Sequence, residues 1–469
     1  MTPKLESTIT GSCQSFESIR EVLAKANEEK TGDELAGIAA DSAAERVAAK
    51  DVLSQLSLAT LREKPVIPYE DDEVTRVIQD AVDEAVYKEI RDWTVADLRE
   101  SLVDERTNEE DIDRIRPGLT SEMIAAVTKL MSNMDLIQAT AKMTITARCN
   151  NTIGTEGTLS FRLQPNDPTD DMDNIRYSIC EGLSYGVGDA VIGINPVEDN
   201  HEQTKRLLEV TKEFIEEWNI PTQNCVLSHL TTQIEAVRNG APADLLFQSL
   251  AGTEAGNESF GIDIGLLDDA YEFGKEHCTA SGPNFMYFET GQGSELSSDS
   301  HADVDQVTLE ARCYGLAKRY DPFIVNTVVG FIGPEYLYDG KQVIRAGLED
   351  VFMGQLTGIS MGIDACYTNH IQADQNDIEN LAVLLTAAGS NYFISVPMGD
   401  DTMLNYQSNS YHDAAALWDI FDVRPAPEFE SWLEDMGIAR DGHLTSKAGD
   451  PTMFLGEYED GRKQESTNS

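Results

Sequence analysis

The chain has few basic residues. Its 469 residues include 35 lysines and arginines against 83 aspartates and glutamates, which gives a formal net charge of −48. Such a negative surface repels phosphates, so we expect no binding to nucleic acids or anionic membranes. The acidic residues are spread over predicted helix faces instead of forming one tail. This distribution favours a surface adapted to high salt, where counterions screen the repulsion, over a cation-binding function.

Paired cysteines and long apolar runs are also lacking. The seven cysteines are scattered, with no CxxC pair and no spacing typical of a zinc site, which predicts a reduced intracellular protein. No run approaches the roughly 20 apolar residues that span a bilayer. Residues 1–10 have no apolar core of the kind found in export signals. We therefore expect a cytosolic protein.

The short motifs of several enzyme classes are missing as well. Neither GVG at 186–188 nor GQG at 291–293 follows a strand with its third glycine in place, which excludes a dinucleotide-binding fingerprint. The sequence has no GxSxG motif and no HExxH pair. The residues that could bind a metal are therefore predicted to be structural or exposed to solvent: His229, His301, His370, Asp303, Asp305 and Asp374.

Residues 1–140 have the pattern of a polar, helical region. Amphipathic segments occur at 15–28, 34–56, 73–93 and 121–134, and Pro65 and Pro68 interrupt the region in its middle. It contains no glycine-rich phosphate loop and no histidine cluster. We therefore assign this region to packing and assembly.

From residue 157 onward, short β-branched or aromatic runs alternate with amphipathic helices. Eight strands are predicted, at 158–164, 190–195, 225–229, 244–249, 285–289, 324–329, 361–366 and 392–396, and helices begin near residues 169, 201, 231, 262, 303, 341, 376 and 411. Eight such units match a (β/α)8 TIM barrel, whereas an open doubly wound sheet usually has fewer. We predict an α/β protein with a helical region at 1–140, a catalytic barrel at 141–424, and a C-terminal extension at 425–469 that ends in a mobile tail.

The segment GTLSFRLQP, residues 157–165, places a charge inside this barrel. In a strand, Arg162 and Gln164 share one face, and Leu159, Phe161 and Leu163 share the other. A charged side chain that points into a sheet interior is costly unless an anionic or polar group meets it. We therefore predict that Arg162 meets a substrate and the residues that surround it.

The active site of a (β/α)8 barrel lies at the carboxyl ends of its strands. Glu289 and Asp364 are the acceptors that a small cationic amine requires, and Arg162 with Asn195 could hold a hydroxyl group. Alternatively, Arg162 forms an ion pair with one of the carboxylates that only satisfies buried charge. The full set predicted at or near strand ends is Arg162, Gln164, Asn195, Pro196, His229, Gln248, Glu289, Val328, Phe331, Asp364, Met403 and Leu404.

Several longer segments resemble one enzyme family: NNTIGTEGTLSFRLQPNDPTDD, EGLSYGVGDAVIGINP, LLFQSLAGTEAGN, YFETGQGSELS, VNTVVGFIGPEYLYDGKQVIRAGLEDVFMGQLTG and CYTNHIQADQND. Together they resemble the large subunit of ethanolamine ammonia-lyase, the adenosylcobalamin-dependent enzyme that converts ethanolamine to acetaldehyde and ammonia. The resemblance is dense from about residue 150 to residue 438. It implies a (β/α)8 barrel whose mouth is covered by the corrin ring, and a separate small subunit that completes the cobalamin pocket.

The resemblance also implies a role for individual residues. Ethanolamine contacts would fall on Arg162, Gln164, Asn195, Glu289 and Asp364. Cobalamin contacts would fall on Pro196, Gln248, Ser297 and Met403, and an apolar wall would be formed by Phe260, Val328, Phe331 and Leu404. Proteins that ligate cobalt through histidine carry an Asp-x-His-x-x-Gly motif, which is absent here because the string DGHLTS at 441–446 ends in serine. No side chain of the chain is therefore expected to ligate the metal.

On this resemblance, Glu289, Asp364 and Gln164 would hold the amino group, and a covered mouth would keep the radical away from water. The family allows packaging in a protein-shelled compartment, but the acidic surface argues against it here, and no encapsulation segment is evident at the N-terminus. Two alternatives stay open. One is a metal-dependent barrel lyase or aldolase in which the two carboxylates and His370 bind a divalent ion, and the other is a non-catalytic assembly subunit. A different 2-amino alcohol as substrate also stays open.

Overall fold

The computed structural model describes residues 4–454 and confirms the (β/α)8 barrel, with a parallel strand at each of the eight predicted places. The predicted mobile tail beyond residue 454 lies outside the described residues. The strands are called first to eighth in chain order: Ser160–Leu163, Val191–Ile194, Asn224–Val226, Leu246–Ser249, Met286–Thr290, Ile324–Val329, Met361–Ala365 and Tyr392–Val396.

The strands pair in chain order, and the first pairs with the eighth, so that within residues 4–454 the sheet closes except at one seam. The seam lies between the third and fourth strands. There, Asn224 N donates to Asp244 Oδ2 at 3.1 Å, and Asp244 N donates to Asn224 Oδ1 at 2.9 Å. These backbone N–H groups donate to side chains and not to the neighbouring strand. The fourth strand therefore begins at Leu246 and not at the predicted residue 244.

Helices follow the strands and cover the outside of the barrel, and the main ones begin within three residues of the predicted positions. The first strand packs against the last of them through Phe161, whose ring meets the Trp418 ring edge-on with centroids 5.5 Å apart. None of the described helices is both long and apolar enough to cross a membrane. The helices that follow the strands are Met172–Ser184, His201–Glu217, Leu230–Arg238, Glu254–Ser259, Ile264–His277, Ser294–Ser297, Gln306–Lys318, Gly340–Thr357, Gln375–Ala388 and Tyr411–Phe421, and Pro427–Met436 follows the barrel.

The region before the barrel is helical, as predicted, but its helices are shorter and more numerous. The predicted helices 34–56 and 73–93 are interrupted because a capping side chain starts a new helix inside each one. Ser42 Oγ accepts from Glu45 N at 3.2 Å, and Asp83 Oδ1 accepts from Ala85 N at 2.8 Å. The domain boundaries at 140 and 424 stay predictions. The helices are Ile19–Ala26, Thr31–Leu35, Ala43–Gln55, Leu58–Glu63, Glu73–Asp80, Glu84–Ile90, Val95–Val103, Glu109–Ile115, Ser121–Leu130 and Asn133–Thr140.

Buried ion pairs join the N-terminal helices to the barrel helices. Glu349 accepts from Lys30 Nζ at 2.8 Å and from Arg345 Nε at 2.6 Å, and the side chains of Lys30 and Glu349 are fully buried. Arg312, on the barrel helix Gln306–Lys318, donates to Asp72 Oδ2 at 2.6 Å. A buried charge that loses its partner is costly, so these pairs make the packing of the two regions specific.

We predict that Glu349→Gln destabilises the protein by about 3–5 kcal/mol, because Lys30 and Arg345 would lose a charged partner in the core. Burial alone would raise the pKa of Glu349, but the two cations outweigh this effect and lower it to about 2. The measurement is the calorimetric unfolding midpoint at constant salt. Asp268→Asn, which breaks the exposed pair with Arg319, is the matched control and should cost at most about 1 kcal/mol. Equal effects of the two variants would contradict this prediction.

Candidate active site

Arg162 lies inside the barrel, on the first strand, and is 1% exposed. Its Nη1 donates to Glu289 Oε1 at 2.8 Å, and its Nη2 donates to Asn195 Oδ1 at 3.0 Å. Nη1 also donates to the hydroxyl of Tyr287, which itself donates to the same carboxylate oxygen at 2.6 Å. The guanidinium therefore connects the first strand with the fifth strand and with the end of the second. The ion pair with Glu289 that the sequence allowed is present.

Space for the guanidinium comes from Gly193 on the second strand. A Cβ atom at this glycine would lie 2.7 Å from Arg162 Nε, closer than such atoms approach one another. Arg162 pairs with Val191 in the ladder between the first two strands, and Gly193 lies two residues further on the same face. A side chain at position 193 would therefore push the guanidinium away from Glu289 and Asn195.

Asp364 lies on the seventh strand and is 2% exposed. Its Oδ2 accepts from the Tyr406 hydroxyl at 2.7 Å, and its Oδ1 accepts from the Ser408 hydroxyl. Burial is the largest influence on its pKa and raises it, the hydrogen bonds and Arg162 oppose the rise, and the result is about 7. Because this pKa lies near neutrality, the carboxyl can gain or lose a proton when a charged ligand arrives.

Gln164 points from the end of the first strand towards a hairpin that follows the eighth strand. In this hairpin Asp400–Asp401 pairs with Tyr406–Gln407 in antiparallel fashion. Gln164 Nε2 donates to Asp401 Oδ2 at 2.7 Å and to the Tyr406 hydroxyl at 2.8 Å. Since Tyr406 donates onward to Asp364, a chain of hydrogen bonds joins two of the predicted substrate residues.

Sequence reasoning missed five polar residues of this network: Asn166, Tyr287, Asp401, Tyr406 and Ser408. Alternation could have identified Tyr287, which precedes Glu289 by two residues on one strand, and Asn166, which follows Gln164 by two. Asp401, Tyr406 and Ser408 gave no such signal, because the segment after the eighth strand has no strand pattern and the resemblance pointed there only to Met403 and Leu404.

The remaining predicted residues lie in or after the carboxyl ends of the strands in the chain, and most are partly exposed. Phe331 packs edge-on against Tyr406, with ring centroids 5.2 Å apart. Met403 and Leu404 form the turn of the hairpin, where their backbone N–H groups donate to Asp401 Oδ1 at 3.0 and 2.7 Å. Phe331 and the hairpin turn therefore contact two of the buried polar residues, Tyr406 and Asp401. Other predicted residues are partly or fully exposed: Pro196 after the second strand, Phe260 after the helix Glu254–Ser259, Ser297 in the helix Ser294–Ser297 and Val328 in the sixth strand.

Two residues expected at strand ends contact a helix. The third strand ends at Val226, so the prediction that His229 closes it is wrong, and His229 Nδ1 instead accepts from Thr231 N at 3.3 Å as a helix cap. Gln248 is 4% exposed, and its Oε1 accepts from Leu230 N at 3.1 Å. The predicted role of Gln248 in cofactor binding stays a prediction.

The residues considered as metal ligands do not come together. In the part of the chain that the structure describes, no three His, Cys, Asp or Glu side chains are placed to hold a metal ion. Asp305 pairs with Lys129 at 2.8 Å in the core, Asp374 caps the helix Gln375–Ala388, and His370 is exposed. The other candidates lie in loops or at a helix start: His229, His301 and Asp303.

Comparison with known proteins gives a consistent result. A family model described as ethanolamine ammonia lyase large subunit matches residues 14–447. The chain is 56% identical to the Escherichia coli K12 ethanolamine ammonia-lyase large subunit over 452 residues, which cover 96% of this chain and 100% of that protein. The Salmonella typhimurium protein of the same name is 55% identical with the same coverage. The solved structure of a truncated 3-deoxy-D-arabino-heptulosonate 7-phosphate synthase from Thermotoga maritima matches with a TM-score of 0.36 at 12% identity. The match covers 58% of this chain and 91% of that chain.

We predict that Gly193→Ala destabilises the protein by about 1–3 kcal/mol, because the added methyl group must move the buried Arg162 side chain. Gly265→Ala is the matched control, since a Cβ there meets only Asp263 Oδ1 at 3.3 Å in an exposed first helical turn. This control should be neutral or slightly stabilising, because alanine favours helix. Calorimetric unfolding midpoints measure both effects. Equal midpoints for the two variants would disprove the tight packing of Gly193 on Arg162.

Proposed function

This chain belongs to the family of ethanolamine ammonia-lyase large subunits, and on that premise we propose that it acts as a carbon–nitrogen lyase that converts ethanolamine to acetaldehyde and ammonia. The observation that carries the assignment of the site is its charge balance. The carboxyl groups of Glu289, Asp364 and Asp401 lie in one hydrogen-bonded network with the Arg162 guanidinium, which Asn195 and Asn166 connect to Asp401. An excess of carboxyl groups favours a ligand with a positive charge, and an alkyl ammonium stays protonated well above neutral pH.

The hydrogen bonds of Gln164 support one direction for the ligand. Both hydrogens of its Nε2 are donated, one to Asp401 and one to Tyr406. The carbonyl Oε1 is then the group left to meet an ammonium, which only donates. We therefore assign the ammonium of ethanolamine to Gln164 Oε1 and to the carboxylates of Glu289 and Asp364, where charge-assisted hydrogen bonds are strongest.

The hydrogen bonds of Asn195 indicate where the other end of the ligand, its hydroxyl group, binds. Its Oδ1 accepts from Arg162 Nη2 at 3.0 Å, which leaves its Nδ2 as a donor. An arginine has five N–H groups, and Nη2 carries a second hydrogen besides the one that Asn195 accepts. We assign the substrate hydroxyl oxygen to these two donors. Binding at both ends would hold the two substrate carbons in a fixed position. By this positioning the chain would increase the rate of the reaction.

Adenosylcobalamin is the cofactor that we propose for the mouth of the barrel. The side chains of Phe331, Met403, Leu404 and Val328 support this proposal, because they are apolar and partly exposed, as the surface that meets a broad macrocycle would be. We keep Pro196, Gln248, Ser297 and Met403 as its contacts, with Phe260 in the apolar wall. When bound, this cofactor supplies the radical chemistry, and the chain supplies orientation, charge and the exclusion of water.

We propose a hetero-oligomer with an ethanolamine ammonia-lyase small subunit, because the curated relatives are named large subunits. We also propose a cytoplasmic location, outside a protein-shelled compartment. Adaptation to high salt stays a prediction from the net charge of −48. Experiments on this chain should therefore use the complex of both subunits in high salt, where surface charges are screened.

The function predicts an unpaired-electron signal. The large chain, co-purified with its small-subunit candidate, is mixed with adenosylcobalamin and ethanolamine, and an electron paramagnetic resonance spectrum is recorded. We expect a signal only when both compounds are present, because substrate binding starts the radical reaction. Bound cobalamin without a signal would contradict the assigned substrate. Turnover that needs no cobalamin and is abolished by a chelator would instead support a metal-dependent lyase.

The matched variant for this experiment is Glu289→Gln, which removes the proposed charged partner of the ammonium. It should bind cobalamin normally and lower kcat/KM for ethanolamine by about 10- to 100-fold, which is the usual cost of a lost hydrogen bond to a charged group. Glu335→Gln, at an exposed loop position, is the control. Normal turnover by Glu289→Gln would disprove its contact with the amino group.

Ethanolamine affinity should fall as the pH drops through about 7. Burial raises the pKa of Asp364 to about 7, so this carboxyl is largely neutral below that pH and must lose its proton to pair with an ammonium. The affinity should fall by up to tenfold per pH unit below about 7 and level off above it. Calorimetric titration in two buffers of different ionisation enthalpy measures the released proton. Asp364→Asn should abolish the dependence, and a flat wild-type profile between about pH 6 and 8 would contradict it.

A further inference from the structure

Asp401, in the hairpin after the eighth strand, is 2% exposed and accepts four hydrogen bonds. Its Oδ1 accepts from the backbone N–H groups of Met403 and Leu404, at 3.0 and 2.7 Å. Its Oδ2 accepts from Gln164 Nε2 and from Asn166 Nδ2, both at 2.7 Å. The two oxygens therefore have separate tasks, because one holds the hairpin turn and the other contacts two amide side chains.

A carboxylate surrounded by four donors accepts hydrogen bonds and donates none, so each amide must turn its NH2 group towards it. Gln164 meets a second constraint that agrees with the first. Its other Nε2 hydrogen goes to the Tyr406 hydroxyl at 2.8 Å, and that hydroxyl donates to Asp364 at 2.7 Å. The orientation of Gln164 is therefore determined, and its carbonyl oxygen is the group left for a ligand.

Asn166 connects Asp401 to Asn195, at the end of the site proposed for the hydroxyl group. Because its Nδ2 faces Asp401, its Oδ1 faces the backbone of Asn195 and accepts from Asn195 N at 2.8 Å. Its Nδ2 also lies 3.4 Å from Asn195 Oδ1, the oxygen that accepts from Arg162 at 3.0 Å. Two donors therefore hold the Asn195 oxygen, and the Asn195 NH2 group is left for a ligand.

We propose that Asp401 is a positioning residue that sets the donor and acceptor pattern of the substrate site through Gln164 and Asn166. The pattern presents acceptors at one end and donors at the other, which matches an ammonium and a hydroxyl on neighbouring carbons. It selects vicinal amino alcohols over alkylamines that lack the hydroxyl. This inference rests on the proposed function and adds to it the residue that fixes the polarity of the site.

Asp401→Asn tests the inference with little change in shape. The new side chain keeps one oxygen for the Met403 and Leu404 N–H groups but replaces Oδ2 by an NH2 group, which opposes the NH2 groups of Gln164 and Asn166. Cobalamin affinity should stay within about twofold of the wild type, since the turn keeps its acceptor. The kcat/KM for ethanolamine should fall by about 10- to 100-fold, since the amides must reorient.

The decisive readout is the ratio of the affinities for ethanolamine and propylamine. Both are measured by calorimetry on the two-subunit complex with a cobalamin that lacks the adenosyl group, so that no turnover is needed. The ratio should fall about tenfold in Asp401→Asn, because the donors for the hydroxyl are lost. Asp400→Asn is the matched control, since Asp400 is exposed and accepts from Gln407 Nε2 at 3.0 Å. A wild-type ratio and normal unfolding midpoint in Asp401→Asn would overturn the proposal.

Asn166→Ala keeps the inference testable if Asp401→Asn does not fold. It removes the connection to Asn195 and leaves Gln164 in contact with Asp401, so ethanolamine affinity should fall while propylamine affinity stays unchanged. Equal losses for the two ligands would overturn the proposal. A failure of the proposed function is distinct, because it appears in the wild-type complex as an absence of ethanolamine binding and turnover, before any variant is compared.

Discussion

The buried charge of Arg162 is the constraint on which the rest of the site depends. A guanidinium that is 1% exposed is stable only with acceptors around it. Tyr287 and Glu289 supply them from the fifth strand, and Asn195 supplies one from the end of the second strand. Gly193 supplies the space. The same contacts hold the polar groups in place before a ligand arrives, so little reorganisation remains for the binding step.

Two aspartates of the site have different tasks because their surroundings differ. Asp364 is buried on a strand with two hydroxyl donors, and burial raises its pKa to about 7, so its proton can respond to an arriving cation. Asp401 accepts from two backbone N–H groups and two amides, which makes it a fixed acceptor. The turn at Met403 and Leu404 is thereby connected to Gln164 through the two oxygens of Asp401.

The strands and the inward direction of Arg162 and Gln164 could be predicted from the sequence, because alternation and helix rhythm are local patterns. The predicted barrel placed the active site at the carboxyl ends of the strands. The longer segments that resemble one family pointed to the substrate residues. The contact of Gln164 with Asp401 could not be predicted, since 237 positions separate them and the resemblance pointed to Met403 and Leu404 in the hairpin but not to Asp401. The seam at Asn224 and Asp244 could not be predicted either, because it depends on hydrogen bonds between side chains and backbone that no local pattern indicates.

The most direct test of the site is the crystal structure of the two-subunit complex with ethanolamine and a cobalamin that lacks the adenosyl group. We expect the ammonium nitrogen within about 2.7–3.2 Å of Glu289, Asp364 and Gln164 Oε1, and the hydroxyl oxygen at the same distance from Arg162 and Asn195 Nδ2. A reversed ligand, with its hydroxyl at Asp364, or a ligand bound outside the barrel mouth would contradict the assignment.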